Sequence, residues 1–242
     1  MSAGPMPTGQ LPLDSDDLLA ALGPIRLVVF DCDGTLIDSQ HNIIAAVQRV
    51  FASIGLTPPP TELIRRQVGL SAEAAIAGML PDAAPDQHAD VFAAFQRLRS
   101  SLQQSTKQPE PIYSGIPELI ESLDHPAVFL GIATGKGHAS LQAVLEEHNW
   151  THRFHTLQTG DRCRGKPHPE MMLRAIAETG VAPEEAVMLG DTAFDIEMAR
   201  AAGSRAIGVS WGYHALNDLA QAGAEAIIDH PSELFGALRG LR

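Results

Sequence analysis

"LVVFDCDGTLIDS", residues 27–39, carries an apolar run into two aspartates two positions apart and then directly into Gly-Thr. In extended chain successive side chains alternate faces, so Asp31 and Asp33 are expected to project to one side and Cys32 to the other. Ile25, Leu27, Val28, Val29 and Phe30 form the nearly continuous apolar run of a strand covered on both faces, as in a parallel sheet. The two carboxylates then stand at its carboxyl end, the edge at which open α/β sheets bind ligands. Two like charges side by side repel unless a cation joins them or one takes a proton. The pair therefore points to a divalent metal, an acid/base pair, or both. Gly34 permits a sharp turn, and the Thr35 hydroxyl can satisfy exposed backbone groups there.

Beyond this stretch the apolar spacing becomes helical. "HNIIAAVQRVFASIGL", "PTELIRRQVGL", "SAEAAIAGML" and "PDQHADVFAAFQRLRSSLQQS" are separated by Pro and Gly breaks, and no strand pattern interrupts them. The segment is too long for a simple strand-to-helix connection and has the size of an inserted helical unit. From residue 114 onward strands alternate with single helices: "AVFLGIATG", "FHTLQTG", "AVMLGD", "RAIGVSWG" and "EAIID" read as strands, with helical patterns between them. Such βαβ units predict a doubly wound, mostly parallel α/β sheet. The expected organisation is an N-terminal extension over 1–24, an α/β core over 25–39 and 113–242, and an all-helical unit over 40–112. Within the extension, residues 1–12 are expected to be mobile and "SDDLLAAL" to form a short helix.

The 242 residues suffice for a large core, and a 45% hydrophobic, 19% charged composition is that of an ordinary globular protein. A net charge of -12 argues against sequence-independent nucleic-acid binding, which needs a basic face. It also requires any anionic substrate to be held by a local cation or a metal. Two cysteines, Cys32 and Cys163, make neither a disulfide framework nor a zinc site, so a reducing cytoplasmic location is the default. No export signal is visible, and no apolar run reaches the roughly 18 residues of a membrane helix. The expected partner is a small molecule, with no nucleic acid and no membrane, and the chain is expected to act as a monomer or homodimer.

Polar residues recur at the ends of the expected strands. Asp31 and Asp33 close the first, Thr134 and Gly135 the second, and Asp191 and Asp195 a later one in "GDTAFD", while Lys166 stands in the loop "RGKPHPE". In a parallel sheet these carboxyl ends share one edge, so residues far apart in sequence converge. "DCDGTLIDS", "IATG", "GKPHPE" and "GDTAFD", in this order over residues 25 to about 230, resemble the four signatures of the haloacid dehalogenase superfamily of phosphatases. The helical insertion directly after the first signature resembles the subfamily with an α-helical cap. The resemblance implies Mg²⁺ as cofactor and a Rossmann-like core. It implies Asp31 as a nucleophile that forms an aspartyl-phosphate and Asp33 as the acid/base. Thr134 and the Gly135 amide would hold phosphoryl oxygens, and Lys166 would neutralise their charge. Asp191 would bind Mg²⁺ with Asp31 and the Asp33 main-chain carbonyl, and Asp195 would act on metal-bound water or on Lys166.

Among the family's activities, Asp33 speaks against a dehalogenase. Ile43, where the family's mutases carry a cap histidine, speaks against a phosphomutase. The start of the insertion and "ELIRRQVGLS" resemble phosphoglycolate phosphatases, with Arg65 or Arg66 available for a substrate carboxylate; solvated helix arginines are the alternative. Pyrophosphatase, nucleotidase and sugar-phosphate phosphatase or phosphomutase remain as related readings, and a phospho-accepting or silent binding protein as a reading from another class. Lys136, after the Thr-Gly pair, either touches substrate or is solvated.

Overall fold

The computed structural model describes residues 15–102 and 110–241. The expectation for residues 1–12 lies outside the described residues. The chain runs through α1 (Ser15–Leu22), β1 (Leu27–Phe30), α2 (Gln40–Ser53), α3 (Thr61–Arg65), α4 (Ala72–Met79) and α5 (Pro85–Leu102). It continues through α6 (Ile116–Ser122), β2 (Phe129–Thr134), α7 (His138–Glu147), β3 (Thr156–Thr159), α8 (Glu170–Thr179) and β4 (Ala186–Gly190). It closes with α9 (Ala193–Ala201), β5 (Arg205–Val209), α10 (Leu216–Ala222), β6 (Ala226–Ile228) and α11 (Leu234–Gly240).

The strands order as β3-β2-β1-β4-β5-β6, and every pairing is parallel. This is a six-stranded, doubly wound sheet. Period-two alternation divides each strand between two covered faces. Val28, Phe30, Ile132 and Leu189 pack on one side with Leu119 of α6 and Leu234 of α11, whereas Leu27, Val29 and Met188 pack on the other with Met171 of α8 and Ile196 of α9. The helix α1 joins the first face, where Leu18 and Leu22 share a cluster with Phe235 and Leu238. After β1 the chain fills one flank and then crosses to β4 on the other. The switch point therefore lies between β1 and β4, and a crevice outside their carboxyl ends is built into the topology.

Between β1 and α6 the four helices α2–α5 contribute no strand. They bury Val50, Phe51, Ile64, Ile76, Met79 and Val91 in a cluster separate from the sheet's two. Ser71 caps α4 by accepting from the Ala74 N–H at 3.4 Å. Entry to and exit from this helical unit run side by side. Ile37 bridges antiparallel to Ile112, Asp38 N–H donates to the Pro111 carbonyl at 2.8 Å and Tyr113 N–H to that of Leu36 at 3.1 Å.

Because the helical unit has its own core, its stability is partly separable from the sheet's. Phe51, 1% exposed within that core, is the site at which to read this. Phe51→Ala should cost about 3–5 kcal/mol of local stability, and hydrogen exchange should accelerate across α2–α5 while β1 and β4 stay protected. Equal loss of protection in both would mean one cooperative core.

Candidate active site

Asp31 follows β1 directly, and Asp191 follows β4, the strand beside it. Asp195 lies on the first turn of α9, where it completes a capping box: its Oδ2 accepts from the Thr192 N–H at 3.1 Å and the Thr192 hydroxyl at 2.7 Å. One oxygen from each of these three buried carboxylates lies within 4.8 Å of the others. Lys166, in the loop after β3, brings the neutralising charge. Its Nζ stands 2.9 Å from Asp31 Oδ1 and 2.5 Å from Asp195 Oδ1, with all three side chains fully excluded from solvent. Asp195 thus serves both the helix end and the lysine.

Three buried negative charges facing one ammonium leave a deficit of positive charge, and the site records it. Burial pushes the Asp31 carboxyl up to about 7; Lys166 pulls it down, while Asp195 and Asp33 add to the rise. Burial, then Asp31 and Asp195, hold Asp191 well above the usual carboxylate range, against the pull of two hydrogen bonds. These bonds come from the Tyr213 N–H to Oδ2 at 2.9 Å and the Thr35 hydroxyl to Oδ1 at 2.9 Å. Burial favours loss of the Lys166 proton, but Asp195 and Asp31 outweigh it and raise its pKa. Asp31 Oδ1 also accepts from the Cys32 N–H at 2.6 Å, whereas Oδ2 is buried with no hydrogen-bond partner among the described residues. Three clustered carboxylates against one ammonium make a net-negative set of oxygen donors, which fits a hard divalent cation.

The expected pairing of Asp31 with Asp33 needs correction in its detail. The strand ends at Phe30, and the Cys32 carbonyl accepts from the N–H groups of Thr35, Leu36 and Ile37, so the chain turns rather than continuing extended. Asp33 is not one of the three clustered carboxylates, and its side chain has partners of its own. Its Oδ1 accepts from Ser39 Oγ at 2.6 Å and lies 2.9 Å from Lys136 Nζ. Thr35 departs from expectation too, since its hydroxyl serves Asp191 rather than backbone groups. At Gly34, φ is +90°, and a Cβ there would collide with the Asp191 carboxylate and the Tyr213 ring. Only glycine lets the turn approach so closely.

Lys136 is not the solvated lysine of one sequence alternative. Its side chain is 13% exposed and lies between Asp33 and Glu110, whose Oε2 is 3.7 Å away. Asp33, chiefly, and Glu110 raise its pKa despite the opposing effect of burial. Glu110 belongs to the chain leaving the helical unit and also accepts from Asn42 of α2 at 3.1 Å. Sequence reasoning missed Ser39, Glu110 and Tyr213 as site residues. Ser39 stood inside the opening motif, and "SWGY" directly follows a strand that ends on the same edge as the others.

Thr134 closes β2, is 1% exposed and accepts from the Lys136 N–H at 3.1 Å. Gly135 lies beneath the helical unit: a Cβ on it would run into the carbonyls of Gly69 and Leu70, and one on Gly165 would come 3.1 Å from Ser71. The loop 69–71 therefore closes over the sheet edge. A cavity of about 570 Å³ opens beside Asp33, Gly135 and Lys136 and extends into the helical unit. Arg65 and Arg66 are not among its lining residues. Arg65 donates instead to Gln40 Oε1 at 3.0 Å and pairs with Glu62 at 3.5 Å, and Arg66 is exposed.

Residues 28–209 match the family described as haloacid dehalogenase-like hydrolase. Among curated proteins, the chain is 31% identical over 219 residues to an N-acetylmuramic acid 6-phosphate phosphatase of Pseudomonas aeruginosa, covering 88% of this chain and 95% of that one. It is 31% identical over 194 residues to a phosphoglycolate phosphatase of Pseudomonas putida, covering 78% and 71%. Among solved structures, a haloacid dehalogenase-like family hydrolase from Streptococcus pneumoniae superposes with TM-score 0.75 at 25% identity, covering 88% and 98%. A mutant form of CbbY from Rhodobacter sphaeroides, in complex with xylulose-(1,5)bisphosphate, superposes with TM-score 0.73 at 26% identity, covering 86% and 96%. With the six-stranded parallel sheet and the carboxylate–lysine site at its edge, these matches mean that the chain belongs to the haloacid dehalogenase-like hydrolases.

Proposed function

We propose that this phosphatase hydrolyses small phosphomonoesters by passing the phosphoryl group first to Asp31 and then to water. The observation that carries the reading is the bare Oδ2 of Asp31, buried beside Lys166 while Oδ1 is held by the lysine and the Cys32 amide. A carboxylate oriented by one oxygen presents the other for in-line attack on phosphorus. The P–O bond to the alcohol breaks as the aspartyl-phosphate forms. Asp33 gives the departing oxygen a proton and later takes one from the water that cleaves the acyl phosphate. Lys166 offsets charge on the phosphoryl oxygens, with Asp195 as its positioning residue, and the Thr134 hydroxyl and Gly135 amide hold the remaining oxygens. Mg²⁺ is the cation we assign to Asp31, Asp191 and the Asp33 main-chain carbonyl, where it would neutralise charge on the nucleophile and the transferred group.

In this reading residues 25–39 and 113–242 form the catalytic core, and 40–112 act as a cap hinged near Ser39 and Tyr113. The paired linkers of the fold support the hinge. A reducing, cytoplasmic location agrees with two unpaired cysteines. Among the described residues no helix is long and apolar enough to cross a membrane. Phosphoglycolate as substrate loses its support from Arg65 and Arg66, which do not line the cavity. It keeps the support of phosphoglycolate phosphatases among the relatives. A Mg²⁺-dependent screen of phosphoglycolate, sugar phosphates, nucleotides and pyrophosphate is the direct experiment.

Asp31→Asn should abolish turnover and labelling by beryllium fluoride, because the amide is a poor nucleophile. Asp33→Asn should still bind Mg²⁺ in calorimetry yet lose at least about a hundredfold in kcat, the usual scale of general acid–base catalysis. Substantial turnover by either variant contradicts the assignment.

The carboxylate cluster also sets a pH dependence. Asp31 moves from 3.8 to about 7 on folding, so over this window the metal-free folded chain binds more protons than the unfolded one. Stability must then fall as pH rises through the window. Scanning calorimetry of chelated protein should show Tm declining from about pH 5 to about pH 7.5, and Mg²⁺ should raise Tm more at the upper end of that range than at the lower. A flat profile that ignores Mg²⁺ would remove the charge deficit as an explanation.

A further inference from the structure

The 570 Å³ cavity lies within the range, roughly 300–1,000 Å³, of pockets that enclose drug-sized ligands. A two-carbon alcohol such as glycolate would leave most of it to water. Asp33, the group read above as the proton donor to the departing oxygen, is among its lining residues, which places the alcohol portion of a substrate at this cavity. Ile43 and Val47 of α2, Ile76 and Met79 of α4, and Phe92 and Phe95 of α5 also line it. Ile43, Val47, Phe92 and Phe95 pack only partly buried against the cap's core.

The charged lining disfavours an anionic alcohol. Asp33, Glu73, Glu110 and Asp161 face Arg49 and Lys136 around the cavity, and the Lys136 ammonium already stands against Asp33 and Glu110. A carboxylate on the leaving group would meet four lining carboxylates against two cations, together with apolar side chains.

Resting on the phosphomonoesterase reading, we propose that the cap chamber receives an uncharged, apolar portion of the leaving alcohol. The substrate class is then phosphomonoesters of alcohols bearing several apolar carbons rather than short carboxylated ones. Alkyl groups gain about fourfold in affinity per buried methylene, equivalent to about 0.8 kcal/mol. Calorimetry with Mg²⁺ and the non-hydrolysable series from ethylphosphonate to hexylphosphonate should therefore show Kd falling severalfold per carbon until the chamber is filled. Butylphosphonate should bind tighter than the carboxylated 3-phosphonopropionate of similar size. Phe92→Asn should reduce the hexyl-to-ethyl ratio of affinities, a quantity insensitive to any unfolded fraction. A flat series, a preference for 3-phosphonopropionate, or an undiminished ratio in the variant overturns the proposal. Turnover of the matching alkyl phosphates on the same preparation separates the two readings. Hydrolysis without a chain-length slope removes the chamber and leaves the phosphatase standing, whereas a slope in binding with no hydrolysis of any ester removes both.

Discussion

A single ammonium set among three buried carboxylates organises this protein. Lys166 spans Asp31 and Asp195, and Asp191 completes a group whose charge the protein alone does not balance. Buried charges are costly unless paired, and here the pairing is one short. The sheet makes the arrangement possible. Asp31 and Asp191 end adjacent strands, β1 and β4, whose interior residues are entirely buried and leave the backbone little freedom. The imbalance is thus locked at the switch point of the fold, where the topology opens a crevice.

Around that centre the contacts divide into two groups. One fixes the three clustered carboxylates: Cys32 N–H on Asp31, Thr35 and Tyr213 on Asp191, Thr192 on Asp195. The other fixes Asp33 through Ser39 and Lys136, and passes to Glu110 and Asn42. The first group lies wholly in the sheet unit. The second reaches into the helical unit, since Ser39 lies on the chain entering that unit and Lys136 is backed by Glu110 on the chain leaving it.

The sheet, its parallel sense and the inserted helices were legible in the sequence because each rests on local periodicity. The strand ends were equally legible, since a carboxylate after an apolar run marks the binding edge whatever the neighbours are. What was not legible depends on partners far along the chain. Lys136 reads as surface or site with equal justice until Glu110 is brought beside it from the far linker. Thr35 reads as a turn residue until Asp191 arrives from 156 positions away. Arg65 and Arg66 stood between substrate contact and solvated helix arginine, because helical spacing does not say which face meets the cavity. The structure gives Arg65 to Gln40 and Arg66 to solvent.

The antiparallel bridge between Ile37 and Ile112 holds the two ends of the helical unit together through contacts that involve none of its helices. What lies between them adds little to the entropy of closing the loop, because the ends are pinned at contact distance and closure entropy depends only weakly on length. The bridge itself uses no residue of α2–α5. The fold in effect carries a socket, into which one phosphoryl-transfer centre can accept differently shaped chambers without being rebuilt.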